Sequence, residues 1–162
     1  GNAVEYLDIN TGEMAVCGGN AYLRSAAVGS CIVLICYDRR RKTAGMAHAM
    51  LPGRAPSESR GVRTRYIEDA LTGMLSVMKA KGSCIAGMSC VLAGGANVLE
   101  RPDDRVCTDN IRSALAAVRR AELALEAVLL GGTRRMSVIM DSARGCAGCC
   151  SGDGAFHIVW KA

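Results

Sequence analysis

Two apolar runs separated by a short charged turn constrain the fold of this chain most strongly. Residues 31–38 (CIVLICYD) are rich in Ile and Val, and residues 43–51 (TAGMAHAML) form a second run of mostly apolar residues. Between them lies the basic segment 39–42 (RRRK). Runs of this length and composition around a polar turn are typical of paired strands, so the sequence predicts a β-hairpin.

The length of the hairpin loop decides whether Cys31 and His48 lie together. A two-residue loop at Arg39-Arg40 would place the two residues directly opposite each other, with Cβ atoms about 5 Å apart. A four-residue loop over 39–42 would make them diagonal neighbours on one face, about 7 Å apart. A three- or five-residue loop without a bulge would put the side chains on opposite faces, because side chains alternate along a strand.

Cys31 and His48 have the chemistry of a nucleophile and its base. A thiol is mostly protonated at neutral pH, and a neighbouring imidazole can remove its proton or stabilise the thiolate. His48 is one of only two histidines in the chain. Gly29 and Ser30 precede the cysteine, and we expect backbone N–H groups there to stabilise an oxyanion. A buried structural cysteine is the more common role for this residue type, so the pairing alone leaves both interpretations open.

The rest of the chain predicts a mixture of strands and helices. Residues 5–9 and 13–17 are expected to form a hairpin around Asn-Thr-Gly at 10–12, and a strand at 22–28 follows. The first of two predicted helices should bury one apolar stripe, made up of Ile67, Ala70, Leu71, Met74, Leu75 and Met78. The second should bury Ile111, Leu115 and Val118. Residues 123–130 fit either an extension of that helix or a buried strand. The remaining elements are helices at 66–81 and 108–120 and strands at 88–93, 135–140 and 156–161.

Two loops have more than one interpretation. Residues 52–64 are either a flap beside the site or a disordered surface loop. The nine cysteines are expected to be reduced and mostly structural. Residues 146–155 (CAGCCSGDGA) are interpreted as an insertion whose role is metal binding, redox chemistry or none. Its candidate ligands are Cys146, Cys149, Cys150 and His157, but their spacing is poor, so we assign no metal site.

Several motifs resemble the chemoreceptor glutamine deamidases of the CheD family. The resemblance covers most of residues 4–145 and is carried by VGSC at 28–31, Tyr37-Asp38, GMAHAMLP at 45–52, Arg65-Tyr66, Asp69-Ala70, Gly94–Asn97, Asn110-Ile111 and Gly131–Arg134. It implies hydrolysis of selected receptor glutamines to glutamate and ammonia, with Cys31 as the nucleophile and His48 as its histidine. Ser25 stands where the family usually has threonine and would orient the imidazole through a hydrogen bond.

The resemblance also sets expectations for fold, partners and location. It implies an α/β (α+β) architecture of mixed sheets packed as a sandwich with flanking helices, similar to bacterial toxin deamidases. The domain should span residues 4–162, because residues 1–3 lack an initiator methionine and are typical of a cloning remnant. Gly94, Gly95 and Asn97 are expected to line the substrate groove. No cofactor is expected, and the partners would be chemotaxis receptors and a CheC-type phosphatase.

Composition excludes some classes of function. Neither an apolar run of about 18 residues nor a signal-peptide pattern is present in the sequence, so we expect a cytoplasmic protein without membrane insertion. The net charge of +5 could steer the protein toward acidic receptor helices, although a basic turn is more often a solvated loop tip. Aromatic residues make up only 4% of the chain and no nucleic-acid motif is present, which disfavours nucleic-acid binding. A binding module without turnover and a redox or metal sensor are the alternative classes.

Overall fold

The computed structural model describes residues 3–152 and 154–162. Residues 1 and 2 of the suspected cloning remnant and residue 153 of the expected insertion lie outside the described residues. Within the described part the chain forms ten strands, two α-helices and short 3₁₀ turns at Arg63–Arg65 and Ile85–Gly87. The strands are β1 (Glu5–Asp8), β2 (Met14–Gly18), β3 (Ala21–Val28), β4 (Ile32–Asp38), β5 (Thr43–Ala49), β6 (Met88–Gly94), β7 (Ala124–Leu130), β8 (Met136–Asp141), β9 (Cys146–Cys150) and β10 (His157–Lys161). The helices are α1 (Ile67–Ala80) and α2 (Val106–Arg120).

The strands form two mixed five-stranded sheets, which confirms the expected sandwich with flanking helices. The first sheet has the order β1-β3-β8-β9-β10 and the second has the order β2-β5-β4-β6-β7. The pairs β1–β3 and β6–β7 are parallel, and the other pairs are antiparallel. Both helices pack on the second sheet. The likeness to toxin deamidases stays a prediction.

The central hairpin adopts the four-residue loop. Val33 pairs with His48, and Asp38 pairs with Thr43, so residues 39–42 form the connection. Every residue of β4 and β5 is buried, because helices cover one face of the hairpin and the first sheet covers the other. Alternating side chains therefore enter two different cores. One core lies between the second sheet and the helices, and the other lies between the two sheets.

The predicted N-terminal hairpin is wrong. β1 pairs in parallel with β3 in the first sheet, whereas β2 pairs antiparallel with β5 in the second. Residues 9–13 therefore cross from one sheet to the other. The Asn-Thr-Gly signal does specify a chain reversal, and Gly12 has a φ of +84°. A local turn signal does not decide which strand edges pair, and here each short strand finds a partner in a different sheet.

The helices follow the sequence pattern with one exception. The buried residues of α1 are the six expected from its apolar stripe: Ile67, Ala70, Leu71, Met74, Leu75 and Met78. In α2 the expected core residue Leu115 is instead 40% exposed, while Cys107, Asn110 and Ala114 are buried. Ala114, Ala117 and the expected Val118 are the residues of α2 that are buried in the helix–sheet core. Leu115 lies beside the buried face of α2, and a pattern with one apolar stripe does not predict its exposure.

The C-terminal region differs from its interpretation as a loop. Cys146–Cys150 forms β9, which pairs with both β8 and β10. The described residues between β9 and β10, at 151–152 and 154–156, lie outside the strands. Glycine and cysteine lowered the strand signal, but the neighbouring strands supply hydrogen bonds on both edges, and Phe156 packs over the position of Gly148. Residues 124–130, ambiguous in sequence, form strand β7.

Candidate active site

Cys31 and His48 line one cavity at the end of the second sheet. Cys31 immediately precedes β4, and His48 lies in β5, diagonal to it in the hairpin register. The cavity has a volume of about 280 Å³. His48 is 5% exposed and Cys31 is half-buried. The remaining lining residues are Thr11, Ala26, Ala27, Gly29, Ser30, Ala96, Val98, Leu99, Asp104 and Arg135.

A backbone carbonyl from the opposite sheet fixes the state of the His48 ring. The Nδ1 atom of His48 lies 3.0 Å from the carbonyl oxygen of Ile9, the residue after β1. A carbonyl can only accept a hydrogen bond, so Nδ1 must carry the proton. In the neutral ring the lone pair then belongs to Nε2. His48 can therefore act as a base through Nε2.

Ser25 contacts the histidine indirectly. Its side chain is fully buried in β3, and its hydroxyl donates to the same Ile9 carbonyl at 2.9 Å. The hydroxyl also lies 3.4 Å from Sδ of Met46. The expected hydrogen bond from Ser25 to the imidazole is replaced by a shared acceptor, because the carbonyl of Ile9 stands between the two side chains. Ser25 thus lies behind the cavity rather than in its lining.

Burial keeps both reactive groups neutral. Desolvation raises the pKa of the Cys31 thiol, while the Thr11 hydroxyl and the Arg135 guanidinium oppose that rise. Desolvation lowers the pKa of His48, and the Ile9 carbonyl and the Glu13 carboxylate oppose that change. At neutral pH the two groups are therefore a thiol and a neutral imidazole, not a thiolate–imidazolium pair.

Three hydrogen bonds hold the backbone of the cysteine loop. The N–H of Gly95 donates to the Cys31 carbonyl and the N–H of Ala96 donates to the Gly29 carbonyl, both at 2.9 Å. The side-chain amide of Asn110 in α2 donates to the Ser30 carbonyl at 2.9 Å. Three consecutive carbonyls at 29–31 thus have fixed partners, which orients the peptide planes beside the thiol.

Gly94, Gly95 and Asn97 support the cavity wall rather than line it. Gly94 has a φ of +110°, and a Cβ there would lie 2.0 Å from the carbonyl oxygen of Cys31. The side chain of Asn97 bonds the backbone of Arg101 in both directions, at 2.8 and 3.2 Å, and so closes its own turn. The residues of this segment that face the cavity are Ala96, Val98 and Leu99.

Sequence reasoning missed several residues of the site. Thr11 and Arg135 line the cavity and act on the Cys31 thiol, and Asp104 lies in the same lining. Thr11 belongs to the turn that was assigned to a hairpin, so its approach to Cys31 depends on the crossing between sheets. Arg135 follows directly after the Gly131–Arg134 motif, which is the one signal that pointed to its neighbourhood.

The first part of the 52–64 segment lies on the helix side. The N–H of Gly53 donates to Ser113 of α2, and the N–H of Ala55 donates to Asp69 of α1, at 2.8 and 2.7 Å. The lining of the Cys31 cavity contains no described residue from 52–64. Backbone donors at Gly53 and Ala55 pair with polar side chains on the helices, which hold the first part of the loop there. At its other end the Thr64 hydroxyl donates to the carbonyl of Gly12, the residue after Thr11 of the cavity lining, so the interpretation as a flap beside the site stays a prediction.

The C-terminal cysteines form no metal centre that the described residues support. No group of three or more His, Cys, Asp or Glu side chains in residues 3–152 and 154–162 is placed to hold a metal ion. Cys149 pairs with His157 across β9 and β10. Desolvation raises the pKa of Cys146 and Cys149, which disfavours their thiolate forms. The redox interpretation stays a prediction.

The fold and the cavity define an α/β sandwich protein with a cysteine and a histidine at the junction of its two sheets. Residues 50–149 match the family described as "CheD chemotactic sensory transduction", and the chain belongs to the CheD family. The chain is 36% identical over 135 residues to a protein of Chlorobium luteolum named "Probable chemoreceptor glutamine deamidase CheD", covering 83% of this chain and 67% of that protein.

Two more distant relatives carry similar names. A "Chemoreceptor glutamine deamidase CheD" of Halalkalibacterium halodurans is 29% identical over 121 residues, which is 72% of this chain and 75% of the relative. A "Probable chemoreceptor glutamine deamidase CheD" of Pyrococcus horikoshii is 27% identical over 142 residues, which is 86% of this chain and 88% of the relative. Neither α-helix in the described residues has the length and apolar character needed to cross a membrane.

Proposed function

We propose that this protein is a chemoreceptor glutamine deamidase whose nucleophile is the thiol of Cys31. The observation that carries the proposal is the shared cavity of Cys31 and His48, in which the Ile9 carbonyl leaves Nε2 of the histidine as the proton acceptor. The names of the relatives support the substrate class. We assign the activity to a single domain over residues 4–162, acting in the cytoplasm.

The first half of the reaction forms a thioester. Nε2 of His48 takes the thiol proton as Sγ of Cys31 attacks the carboxamide carbon of a receptor glutamine. The carbonyl electron pair moves to oxygen, where backbone N–H groups near Ser30 and Cys31 stabilise the negative charge. The carbon–nitrogen bond then breaks, and the imidazolium gives its proton to the departing nitrogen. Ammonia leaves and an acyl-enzyme remains.

The second half returns the enzyme to its starting state. Nε2 of His48 removes a proton from a water molecule, and the oxygen attacks the thioester carbon. The carbon–sulfur bond breaks, glutamate is released, and the sulfur recovers its proton from the imidazolium. Ser25 acts as a positioning residue, since its hydroxyl donates to the Ile9 carbonyl, which in turn accepts the hydrogen bond from Nδ1 of His48.

The electrostatics of the cavity suit these two reaction steps. A neutral thiol and a neutral imidazole begin the reaction without an ion pair, and the thiolate forms only as the proton moves. Arg135 and the Thr11 hydroxyl reduce the cost of the developing negative charge on sulfur. The cavity volume of about 280 Å³ is at the small end for ligand sites and suits a single side chain.

Mass spectrometry of a receptor cytoplasmic fragment tests the proposal. The wild-type protein should convert selected glutamines to glutamates and release ammonia, and Cys31→Ala should do neither while keeping its circular dichroism spectrum. Cys84→Ala, at an exposed cysteine outside the cavity, is the matched control and should keep full activity. Glutamate formation by Cys31→Ala would remove this residue as the nucleophile.

Association with a CheC-type phosphatase is a separate proposal that rests on the family resemblance. Co-elution of the two purified proteins in size-exclusion chromatography would support it. Separate elution at concentrations of about 10 µM would contradict binding of ordinary signalling strength.

A further inference from the structure

The exposed side of α2 and the adjoining edge strand β7 form an apolar groove. Leu115, Leu123 and Leu125 lie in its floor, and Arg112 and Arg119 lie in its lining. These five residues define what we call the α2–β7 groove. Its volume is about 800 Å³. Leu115 and Leu125 are 40% and 37% exposed, so the groove presents large apolar side chains to solvent.

The groove exists because the helix layer is narrower than the sheet beneath it. Strand axes lie about 4.8 Å apart, so the outer strands of a five-stranded sheet are about 19 Å apart. Helices pack with axes roughly 8–10 Å apart, so each helix covers about two strands. In the described residues α1 packs mainly on β2 and β5, and α2 contacts β4, β6 and β7. Two helices therefore leave about one of the five strands, the edge strand β7, partly uncovered, and Val128 on this strand is 51% exposed.

The charges around the groove select among possible occupants. Arg112, Arg119 and Arg120 contribute positive charge, and Glu122 is the acidic residue in the lining. Arg120 also pairs with Glu68 of α1. A second copy of the chain meeting this groove about a twofold axis would bring the same arginines together, and like charges repel. An acidic partner has the complementary potential.

We propose that the α2–β7 groove binds an amphipathic helix of a partner protein, with an apolar stripe on the floor and Asp or Glu residues beside the arginines. A helix that lies along α2 and over β7 can present apolar side chains to the floor and carboxylates to the arginines at the same time. The apolar stripe recurs every three to four residues on such a helix. The groove shares no residue with the Cys31 cavity, so a bound helix leaves the cavity open.

Labelled synthetic helical peptides test whether the groove prefers an acidic or a basic partner helix. One peptide of about five turns carries leucines at heptad a and d positions flanked by glutamates, and a matched peptide carries lysines in place of those glutamates. Fluorescence anisotropy with the full chain should show saturable binding of the glutamate peptide, about tenfold tighter than the lysine peptide. The advantage should shrink as salt is added. Equal binding of the two peptides, or none, would overturn the proposal.

Variants of the protein test the location. Leu115→Glu should weaken the glutamate peptide about tenfold or more, because a carboxylate would enter the apolar floor. Val77→Glu is the matched control, since Val77 lies on α1 with a similar exposure of 37% and should leave binding unchanged. Arg119→Glu should remove the preference between the two peptides, because the lining would then hold two arginines and two glutamates. Loss of binding in the Val77 variant, or unchanged binding in the Leu115 and Arg119 variants, would contradict this site.

Two further measurements keep the test decisive. Leu115→Ala removes the same contact without adding charge, and it replaces the glutamate variant if circular dichroism shows that variant unfolded. Sedimentation of the free protein tests whether a second copy of the chain occupies the groove. A dimer that Leu115→Ala converts to a monomer would mean that a second copy fills the groove, which would overturn an acidic partner helix.

Discussion

Gly94→Ala should disturb Cys31, the proposed nucleophile, through its backbone. An ideal Cβ at position 94 would lie 2.0 Å from the carbonyl oxygen of Cys31, against a minimum near 3.0 Å in real structures. The carbonyl must therefore move by about 1 Å, because the obstacle is backbone and has no rotamer to change. That carbonyl accepts the hydrogen bond from Gly95, so the same shift weakens the contact that orients the Cys31 peptide.

The cost of this substitution has two parts. Alanine at the φ of +110° found for Gly94 is strained by roughly 1–3 kcal/mol. Loss of the Gly95 hydrogen bond adds about 1 kcal/mol. The total of about 2–4 kcal/mol is below the usual free energy of unfolding of about 5–15 kcal/mol, so the protein should still fold. A displacement of about 1 Å at a reacting atom can cost about 100-fold in rate.

Gly19→Ala is the matched control for backbone strain. Gly19 has a φ of +77° and no atom within 4 Å of an added Cβ. It should lose about 1–2 kcal/mol from strain alone and keep wild-type turnover. Urea unfolding gives the free energies, and ammonia release from a receptor fragment gives the rates. Equal destabilisation of the two variants with normal turnover in Gly94→Ala would refute the reasoning.

The remaining predictions concern the hydrogen bonds and charges around the thiol. Ser25→Ala should lose about 1 kcal/mol in urea unfolding and slow turnover, and Ser25→Thr should restore both; equal rates in all three proteins would show that the hydroxyl is idle. Burial lowers the pKa of His48, so the neutral base persists as the pH falls and activity should decline only below about pH 6.5; a decline that begins above pH 7 would contradict this. Burial raises the pKa of Cys31, so its alkylation by iodoacetamide should accelerate only at alkaline pH, and rapid alkylation at pH 6 would indicate a preformed thiolate. Arg135→Gln should raise the pKa of Cys31 further and move that alkylation curve to higher pH; an unmoved curve would show that the guanidinium does not act on the sulfur.

Elements with strong periodicity could be predicted from the sequence. The apolar stripe that begins at Ile67 predicted the buried face of α1 correctly, because a helix that packs on a sheet has one apolar face toward the sheet and one polar face toward solvent. The hairpin prediction placed Cys31 and His48 on the same face for either even loop length, and the structure adopts the four-residue loop at 39–42. The sequence left the loop length open, so the observed register, and not the local pattern, decides between the same face and opposite faces.

Features that depend on the pairing of distant strands could not be predicted in this way. The turn at 10–12 predicts that the chain reverses. It crosses between the sheets because β1 before it pairs with β3 and β2 after it pairs with β5. Leu115 satisfies helical spacing and is nevertheless exposed, because the width of the layer above β7 is a property of the whole sheet. The position of Arg135 at the cavity likewise follows from how β8 joins the first sheet.

The hairpin brings the imidazole near the thiol, but the opposite sheet orients it. His48 belongs to the second sheet, whereas Ile9 and Ser25 follow or lie in strands of the first. The hydrogen bond from Nδ1 to the Ile9 carbonyl joins residues 39 positions apart in the chain. Met46 lies in the same strand as His48, two residues before it, and contacts the Ser25 hydroxyl. The hydrogen bond that leaves Nε2 as the proton acceptor therefore forms only when the two sheets are packed, so partial separation of the sheets should abolish turnover before the hairpin itself unfolds.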